Sequence, residues 1–233
     1  MASPDAERNL FRFAELRRVV GGRKAVKIAP LWAVAKRYKV IVRDLTDVSD
    51  LPVASPAFTC HGLDSTSPVE LVAFDRRLSV AEIERRLEEG QTCEIWRRDD
   101  RIVHFRWLTP ARTSLRFLGL DFEPAEGDCL LFEVFTLAHE RVRGVHGNVA
   151  SHSLRRASSQ GFRRMVALCA WWNTPALRVG EKFGFECAGA VTRWQLGPGI
   201  VFTVRGGVEL REKRLSVSGS RPDRRGSSRV GVE

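Results

Sequence analysis

Between Leu130 and Phe185 the chain runs apolar strand, basic glycine-containing turn, helix, second apolar strand, Asn-Thr-Pro and a short helix closing on Gly-Phe. The first strand, Leu130 to Leu137, is separated from the turn Arg141-Val142-Arg143-Gly144-Val145-His146-Gly147-Asn148 by only a few residues, so a strand feeds directly into a helix start. Backbone N–H groups at such a start lack intrahelical partners and point outward. Gly144 and Gly147 keep side chains out of their way, and Arg141 and Arg143 add positive charge, which suits a diphosphate. Taken alone, Gly-x-x-Gly fits an ordinary strand-to-helix loop with solvated arginines equally well.

The residues after the turn extend the pattern. Val149, Leu154 and Ala157 fall near one helical face, and Gly161 stands where a C-terminal cap belongs. Phe162 to Ala170 reads as a buried strand, entered by Arg163-Arg164, with Met165 to Ala170 as its apolar body. Thr174 is an N-cap candidate, Pro175 suits the first helical position, and Gly184 closes that helix before Phe185.

Three linked blocks, Arg141-x-x-Gly144-x-His146-Gly147, Asn173-x-Pro175-Ala176-Leu177 and Glu181-Lys182-Phe183-Gly184-Phe185, resemble the GNAT acyl-CoA-dependent N-acyltransferases. The resemblance is strongest from Leu130 to Ala190 and extends from about Pro68 to Val204. It implies an α/β (mixed α+β) fold: a splayed, mixed central sheet flanked by helices, with pantetheine entering between the Leu130 and Phe162 strands. It also implies acetyl-CoA or another acyl-CoA as co-substrate and a small-molecule amine or amino-sugar-like acceptor. The coenzyme would lie along the backbone of Phe135, Thr136 and Leu137, on the turn from Arg141 through Val142, Arg143, Gly144, Val145, His146 and Gly147 to Asn148, and beside Asn173. The N–H of Leu137 would act as oxyanion donor. The chain departs from the family pattern twice. His146 stands where Gly or Ala is usual, where it either crowds the diphosphate or hydrogen-bonds it. Gly180 stands where a Tyr often protonates the leaving sulfur; a thiol with pKa about 8.5 leaves tolerably as thiolate without that help.

Attack by an amine on a thioester requires the amine to lose a proton. Glu133 is the leading candidate base, because an acid interrupts an otherwise apolar strand facing the expected cleft, where burial would favour its protonated form. The same carboxylate would serve equally to bind substrate or to cap a neighbouring backbone group. His139 and His104 are further candidates with structural alternatives. Asn173 has an ordinary capping role open to it, and Trp171 and Trp172 flank it as pocket or core residues.

Upstream, Val69 to Phe74 reads as the first core strand. Ser79-Val80-Ala81-Glu82 is a capping box opening a helix to Glu89 that Gly90 stops. Thr92 to Arg97, the turn Arg98-Asp99-Asp100 and Ile102 to Leu108 form a hairpin. Thr46 to Ser67, with Pro52 and Pro56, reads as an irregular connection after a strand at Val40 to Leu45. The expected organisation is a basic extension over 1–65, an acyltransferase domain over 66–205 and a basic disordered tail over 206–233.

The net charge of +10 over 233 residues is unevenly placed. From Arg211 to Glu233 seven Lys/Arg stand against three acids, a net +4 in a Ser/Gly/Arg-rich setting that reads as disorder. Such a tail either solubilises or contacts nucleic acid through counterion release, but no base-stacking module is present and nucleic acid is not the expected partner. In the first segment Leu10, Phe13, Leu16 and Val20 make an apolar stripe at helical spacing, closed by Gly21-Gly22. That stripe packs on the core, on a second copy in a homodimer, or on an anionic membrane surface.

No apolar run approaches the roughly 20 residues of a spanning helix, and the first eleven residues lack a signal-peptide core, so a cytoplasmic location is expected. Five cysteines, an odd number without close pairing, argue against a disulfide framework. No Cys-x-x-Cys or His-x-x-x-His spacing exists, so no metal is expected. The expected function is N-acyl transfer, most simply N-acetyl transfer. The alternatives are a catalytically silent, GNAT-like ligand- or partner-binding protein and a basic nucleic-acid-binding protein.

Overall fold

A computed structural model describes residues 35–52, 58–63, 67–75, 77–140, 145–196, 199–218 and 227–232, with backbone only at His146, Leu196 and 227–232. The amphipathic stripe from Leu10 to Val20 and the turn residues Arg141, Val142, Arg143 and Gly144 lie outside the described residues. In chain order the elements begin with β1 (Ala35–Asp44), β2 (Thr59–Gly62), α1 (Pro68–Phe74), α2 (Val80–Glu88), β3 (Thr92–Arg98), β4 (Arg101–Thr109), β5 (Thr113–Leu115), β6 (Leu120–Phe122) and β7 (Asp128–Thr136). They continue with α3 (Val145–Ser159), β8 (Arg164–Ala170), α4 (Thr174–Lys182), β9 (Glu186–Leu196), β10 (Gly199–Gly206), β11 (Val208–Arg211), β12 (Arg214–Val217) and β13 (Ser227–Val232). The chain divides into two compact units, one formed by Val42–Ser114 with Phe122–Ala167, the other by Met1–Ile41, Leu115–Asp121 and Leu168–Glu233.

The first unit is a mixed sheet in the order β8-β7-β4-β3-β2. All neighbours are antiparallel except β7 and β8, which run parallel from Asp128 opposite Arg164 to Leu131 opposite Ala167. Side chains alternate across a pleated strand. Cys93 and Ile95 of β3, with Phe105 and Trp107 of β4, therefore share one face, which α1 and α2 cover: Phe74 stands edge-on to Phe105 and Arg86 lies over Trp107. Glu94 and Trp96, with His104 and Arg106, occupy the other face, where α3 brings His152 against Trp96 and Ser153 against Glu94.

Local signals account for most of these elements. Ser79 accepts from the Glu82 N–H at 3.2 Å and opens α2, while Leu78 and Ile83 are buried on either side of that cap. Asp99 and Asp100 both have positive φ, 49° and 61°, as a two-residue hairpin turn between β3 and β4 requires. In α3, Val145, Val149, Leu154 and Ala157 are buried, and Gly161 at φ 85° ends the element.

Three expectations need correction. Val69 to Phe74 is not a strand but lies in α1: Ser67 accepts from the Val69 N–H, Pro68 occupies the first turn, and Leu71 is buried whereas Val69 is 63% exposed. In the stretch expected as a disordered tail, the described residues form further strands, while 219–226 and Glu233 lie outside the described residues. β11 and β12 form a hairpin whose Val208, Leu210, Leu215 and Val217 are buried at alternate positions, and β13 pairs with β10. Charge in this stretch masks a two-residue apolar period. The Thr46 to Ser67 connection, expected to be irregular, contains β2.

The second unit holds the β9-β10 hairpin, the β11-β12 hairpin, α4, most of β1 and the segment from Leu115 to Asp121. Gly189 and Gly206 face each other across the first hairpin. A Cβ on Gly189 would stand 2.1 Å from the Arg205 carbonyl oxygen, so the close approach of the two strands demands glycine there. Tyr38 packs on Phe117 with ring centres 4.7 Å apart.

Candidate active site

The end of β7 departs from regular pairing. Phe105 of β4 stands opposite Phe135, but Trp107 stands opposite Phe132, so β7 carries one residue more than β4 across this interval. Glu133 within it has φ 46°. This is a β-bulge, a device that bends a strand and re-aims its groups.

The bulge is held from the side. Arg86, projecting from α2 and 4% exposed, donates from Nη1 and Nη2 to the two Glu133 carboxylate oxygens at 2.8 and 2.9 Å, and from Nε to Glu82 at 2.8 Å. Its guanidinium lies 4.9 Å from the Trp107 ring centre and 5.5 Å from that of Phe132. Burial weakens the guanidinium's hold on its proton, but the pairing with Glu133 and Glu82 outweighs this and raises its pKa. Glu133 is therefore a paired carboxylate, 30% exposed, rather than an isolated acid in an apolar cleft.

The N–H of Leu137 donates to the Val103 carbonyl at 3.0 Å. It is committed to the sheet, and the expected oxyanion donor is corrected on that account. Regular alternation counted back from the Leu137 N–H assigns the N–H of Val134 to the edge of β7 away from β4. Val134 is 41% exposed.

Beyond β7 the chain makes one 3₁₀ turn, Ala138–Glu140, before the undescribed 141–144. Glu140 is buried and accepts from Arg98 at 2.6 Å. Val145, the first residue of α3, is fully buried in a cluster with Phe58, Trp96, Val103 and Val149, against which Leu137 packs. The helix start is thus pinned directly beside the strand end, with Gly147 and Asn148 in its first turn. Phe135 packs between Phe74 and Phe105, beneath Arg77 at 4.9 Å. Thr136 Oγ1 and His104 Nδ1 are 2.7 Å apart in full burial, whereas His139 is 68% exposed.

In the second unit, Asn173 caps α4, its Oδ1 accepting from the Ala176 N–H at 3.4 Å, and helix α4 starts one residue earlier than the expected Thr174 cap. Trp172 is buried and Trp171 is 36% exposed. Gly180 is buried, and a Cβ there would meet Ile41 Cδ1 at 3.2 Å and Phe185 Cβ at 3.6 Å. A side chain at this position requires the Ile41 tip to give by a few tenths of an ångström, while Phe185 stands at ordinary contact distance.

One cluster escapes sequence reasoning. Glu94, 2% exposed, stands opposite Arg106 on β4 and is approached by its Nε at 3.6 Å, by Arg156 at 3.7 Å, by Ser153, and by the Cys60 thiol and His152 ring. Burial and the Glu94 charge push the Cys60 thiol up to about 12. Burial pulls Arg106 down to about 10, which leaves it charged at neutral pH, and lowers His152. These residues come from β2, β3, β4 and α3, so no local spacing announces them. All five cysteines are free thiols.

No protein-family model matches the sequence, and no curated protein matches it. Solved structures match in fold at low identity. A functionally unknown conserved protein from Staphylococcus epidermidis aligns at 7% identity, TM-score 0.50, over 73% of this chain and 65% of its own. A GCN5-related glucosamine N-acetyltransferase region of a fungal multi-domain β-N-acetylglucosaminidase aligns at 15% identity and TM-score 0.49, over 72% of this chain and 22% of that one. AAC(6')-Iy in complex with a CoA-containing bisubstrate analogue aligns at 18% identity and TM-score 0.44, over 55% and 90%. The chain spans less than two thirds of the first structures it matches, 55% of a Drosophila protein and 65% of the staphylococcal one. The bulged β7 leading through one turn into α3, with β8 parallel to β7, belongs to the mixed α/β fold that this chain shares with solved structures.

Proposed function

We propose that this protein transfers an acyl group, acetyl in the simplest case, from acyl-CoA to the amine of a small or amino-sugar-like acceptor in the cytoplasm. The observation that carries the reading is the bulged end of β7 running within a few residues into the pinned start of α3. A helix start offers backbone N–H groups and the positive end of the helix dipole to an anion. Those of Val145 to Asn148, with Arg141, Arg143 and Gly144 before them, would grip the coenzyme diphosphate. The extended backbone at Phe135 to Leu137 would guide the pantetheine arm.

In the reaction the neutral amine attacks the thioester carbonyl carbon, the carbonyl oxygen takes up negative charge, and the C–S bond breaks to release the coenzyme thiolate. The Val134 N–H, turned away from β4, replaces Leu137 as the proposed donor to that oxygen. Glu133 retains a lone pair on each oxygen beyond those Arg86 occupies and would accept the amine's proton through a water. With Gly180 in place of a tyrosine, the thiolate leaves unassisted and takes its proton from solvent.

Acetyl-CoA in excess should raise the melting temperature, and coenzyme thiol should be released on mixing with a panel of amines and amino sugars. Gly144→Val should abolish coenzyme binding in a folded protein. Absence of stabilisation by any acyl-CoA would defeat the reading. Stabilisation without turnover would favour a silent coenzyme-binding protein, the alternative that Gly180 in place of a tyrosine and His146 support.

A further inference from the structure

We propose that Cys60, Glu94 and His152 bind one Zn²⁺ ion. The inference is independent of the acyltransferase reading and rests on a different face of the sheet from the Arg86–Glu133 pair.

The geometry arises from strand parity. Cys60 on β2 stands opposite Trp96, and Gly62 opposite Glu94, so Cys60 and Glu94 are diagonal neighbours on the α3 face. Helix α3 adds His152, whose ring stands edge-on to Trp96 with centres 4.9 Å apart. The three ligand atoms lie within 4.8 Å of one another. Tetrahedral zinc, with bonds of about 2.0–2.3 Å, places its ligand atoms about 3.3–3.8 Å apart, so closure takes about 1 Å of side-chain movement. A thiolate, an imidazole and a carboxylate form a donor set suited to this borderline-soft ion and leave a fourth position for water.

Three further observations favour the site. His152 Nδ1 is buried with no hydrogen-bond partner among the described residues, a state that an ion relieves. The carboxylate is already oriented from behind, since Ser153 donates to it and Arg106 approaches it, which is the outer support that metal ligands require. A cavity of about 300 Å³ reaches Glu94 from the side of Ser153 and Arg156. The two arginines oppose a cation. Glu94 meets Ser153 and Arg106 on Oε2 and Arg156 at 3.7 Å on Oε1, so the ion takes the remaining lone pair of Oε1, and Cys60 adds a second negative charge by binding as thiolate, its proton passing to solvent. Zinc is favoured over magnesium, because a hard, oxygen-seeking ion gains nothing from sulfur to offset that repulsion.

The test uses the full chain, stripped with a chelator and then titrated with Zn²⁺ by calorimetry, and with Co²⁺ followed by absorption. The expected result is one ion per chain and a thiolate-to-cobalt charge-transfer band. Cys60→Ser and His152→Gln should each weaken zinc by about tenfold or more. Cys187→Ser, at an exposed thiol, should change nothing. Failure to take up one ion, a cobalt complex without the thiolate band, or binding that survives Cys60→Ser or disappears with Cys187→Ser would overturn the proposal. The cobalt band is read on the unsubstituted protein, so the test holds even if a variant folds poorly.

Discussion

Replacing Arg86 by Met keeps much of the apolar stem and removes the charge that holds the β7 bulge. Arg86 is 4% exposed, with two hydrogen bonds to Glu133 and one to Glu82, all between 2.8 and 2.9 Å. Deleting one partner of a fully buried pair costs about 3–5 kcal/mol, chiefly because the other charge is left without compensation. Here Glu133 is 30% exposed and Glu82 is 10% exposed and also paired with Arg85, so water and Arg85 recover part of that loss. The lower end applies, about 3 kcal/mol, and the packing on Trp107 and Phe132 passes largely to the Met side chain. Urea unfolding followed by tryptophan fluorescence measures it. In Arg86→Met/Glu133→Gln the orphaned charge is gone, and about 2 kcal/mol of coupling between the sites should appear. If the acyl-transfer reading holds, Arg86→Met should lower turnover more than coenzyme affinity, because the bulge orients the donor and not the diphosphate turn. A loss below about 1 kcal/mol, or full additivity with Glu133→Gln, would refute the claim that this pair fixes the bulge.

Gly189→Ala should cost about 2–3 kcal/mol in urea unfolding, since the new Cβ meets the Arg205 carbonyl oxygen at 2.1 Å and Val208 Cγ2 at 2.7 Å; a neutral result would mean the hairpin separates freely. Hydrogen bonds from Arg97 hold the Glu70 carboxyl below its usual pKa. The stability this contributes is complete above the unfolded value of about 4.3 and is lost as pH falls through the folded one, so the gap between wild type and Arg97→Gln should narrow from pH 7 to pH 3. A pH-independent gap would contradict that pairing. A thiol reagent at neutral pH should label exposed Cys187 first. Cys60 and Cys129, pushed up to about 12 by burial, and Cys93, also raised by burial, should react only as the chain opens. Fast modification of Cys60, Cys93 or Cys129 would show that burial does not protect them.

How far the molecule is legible in its sequence depends on the range of each signal. Ser79 with Glu82, the Asp99-Asp100 turn, Gly161 and Asn173-Thr174-Pro175 act over a few residues, and each sits at or within one residue of its expected boundary. Val69 to Phe74 misleads because its apolar run fits both periods and overshadows the Ser67-Pro68 start that decides for a helix. Strand β7 fails for a different reason. Glu133 stands out in the sequence as an acid among apolar residues, which marks the right place, but its partner lies 47 positions away on a helix of the same face. Pairing with Arg86 then turns a supposed lone acid into the clamp of a bulge. That bulge inserts one residue into the register, so the parity of N–H directions along β7 cannot be counted in from the Leu130 end. Only the hydrogen bond from Leu137 to Val103, at the far end, sets it. Reading which main-chain donors face away from β4 therefore requires the partner strand, because a backbone group carries no residue-type signature and a single extra residue exchanges the two edges of the strand.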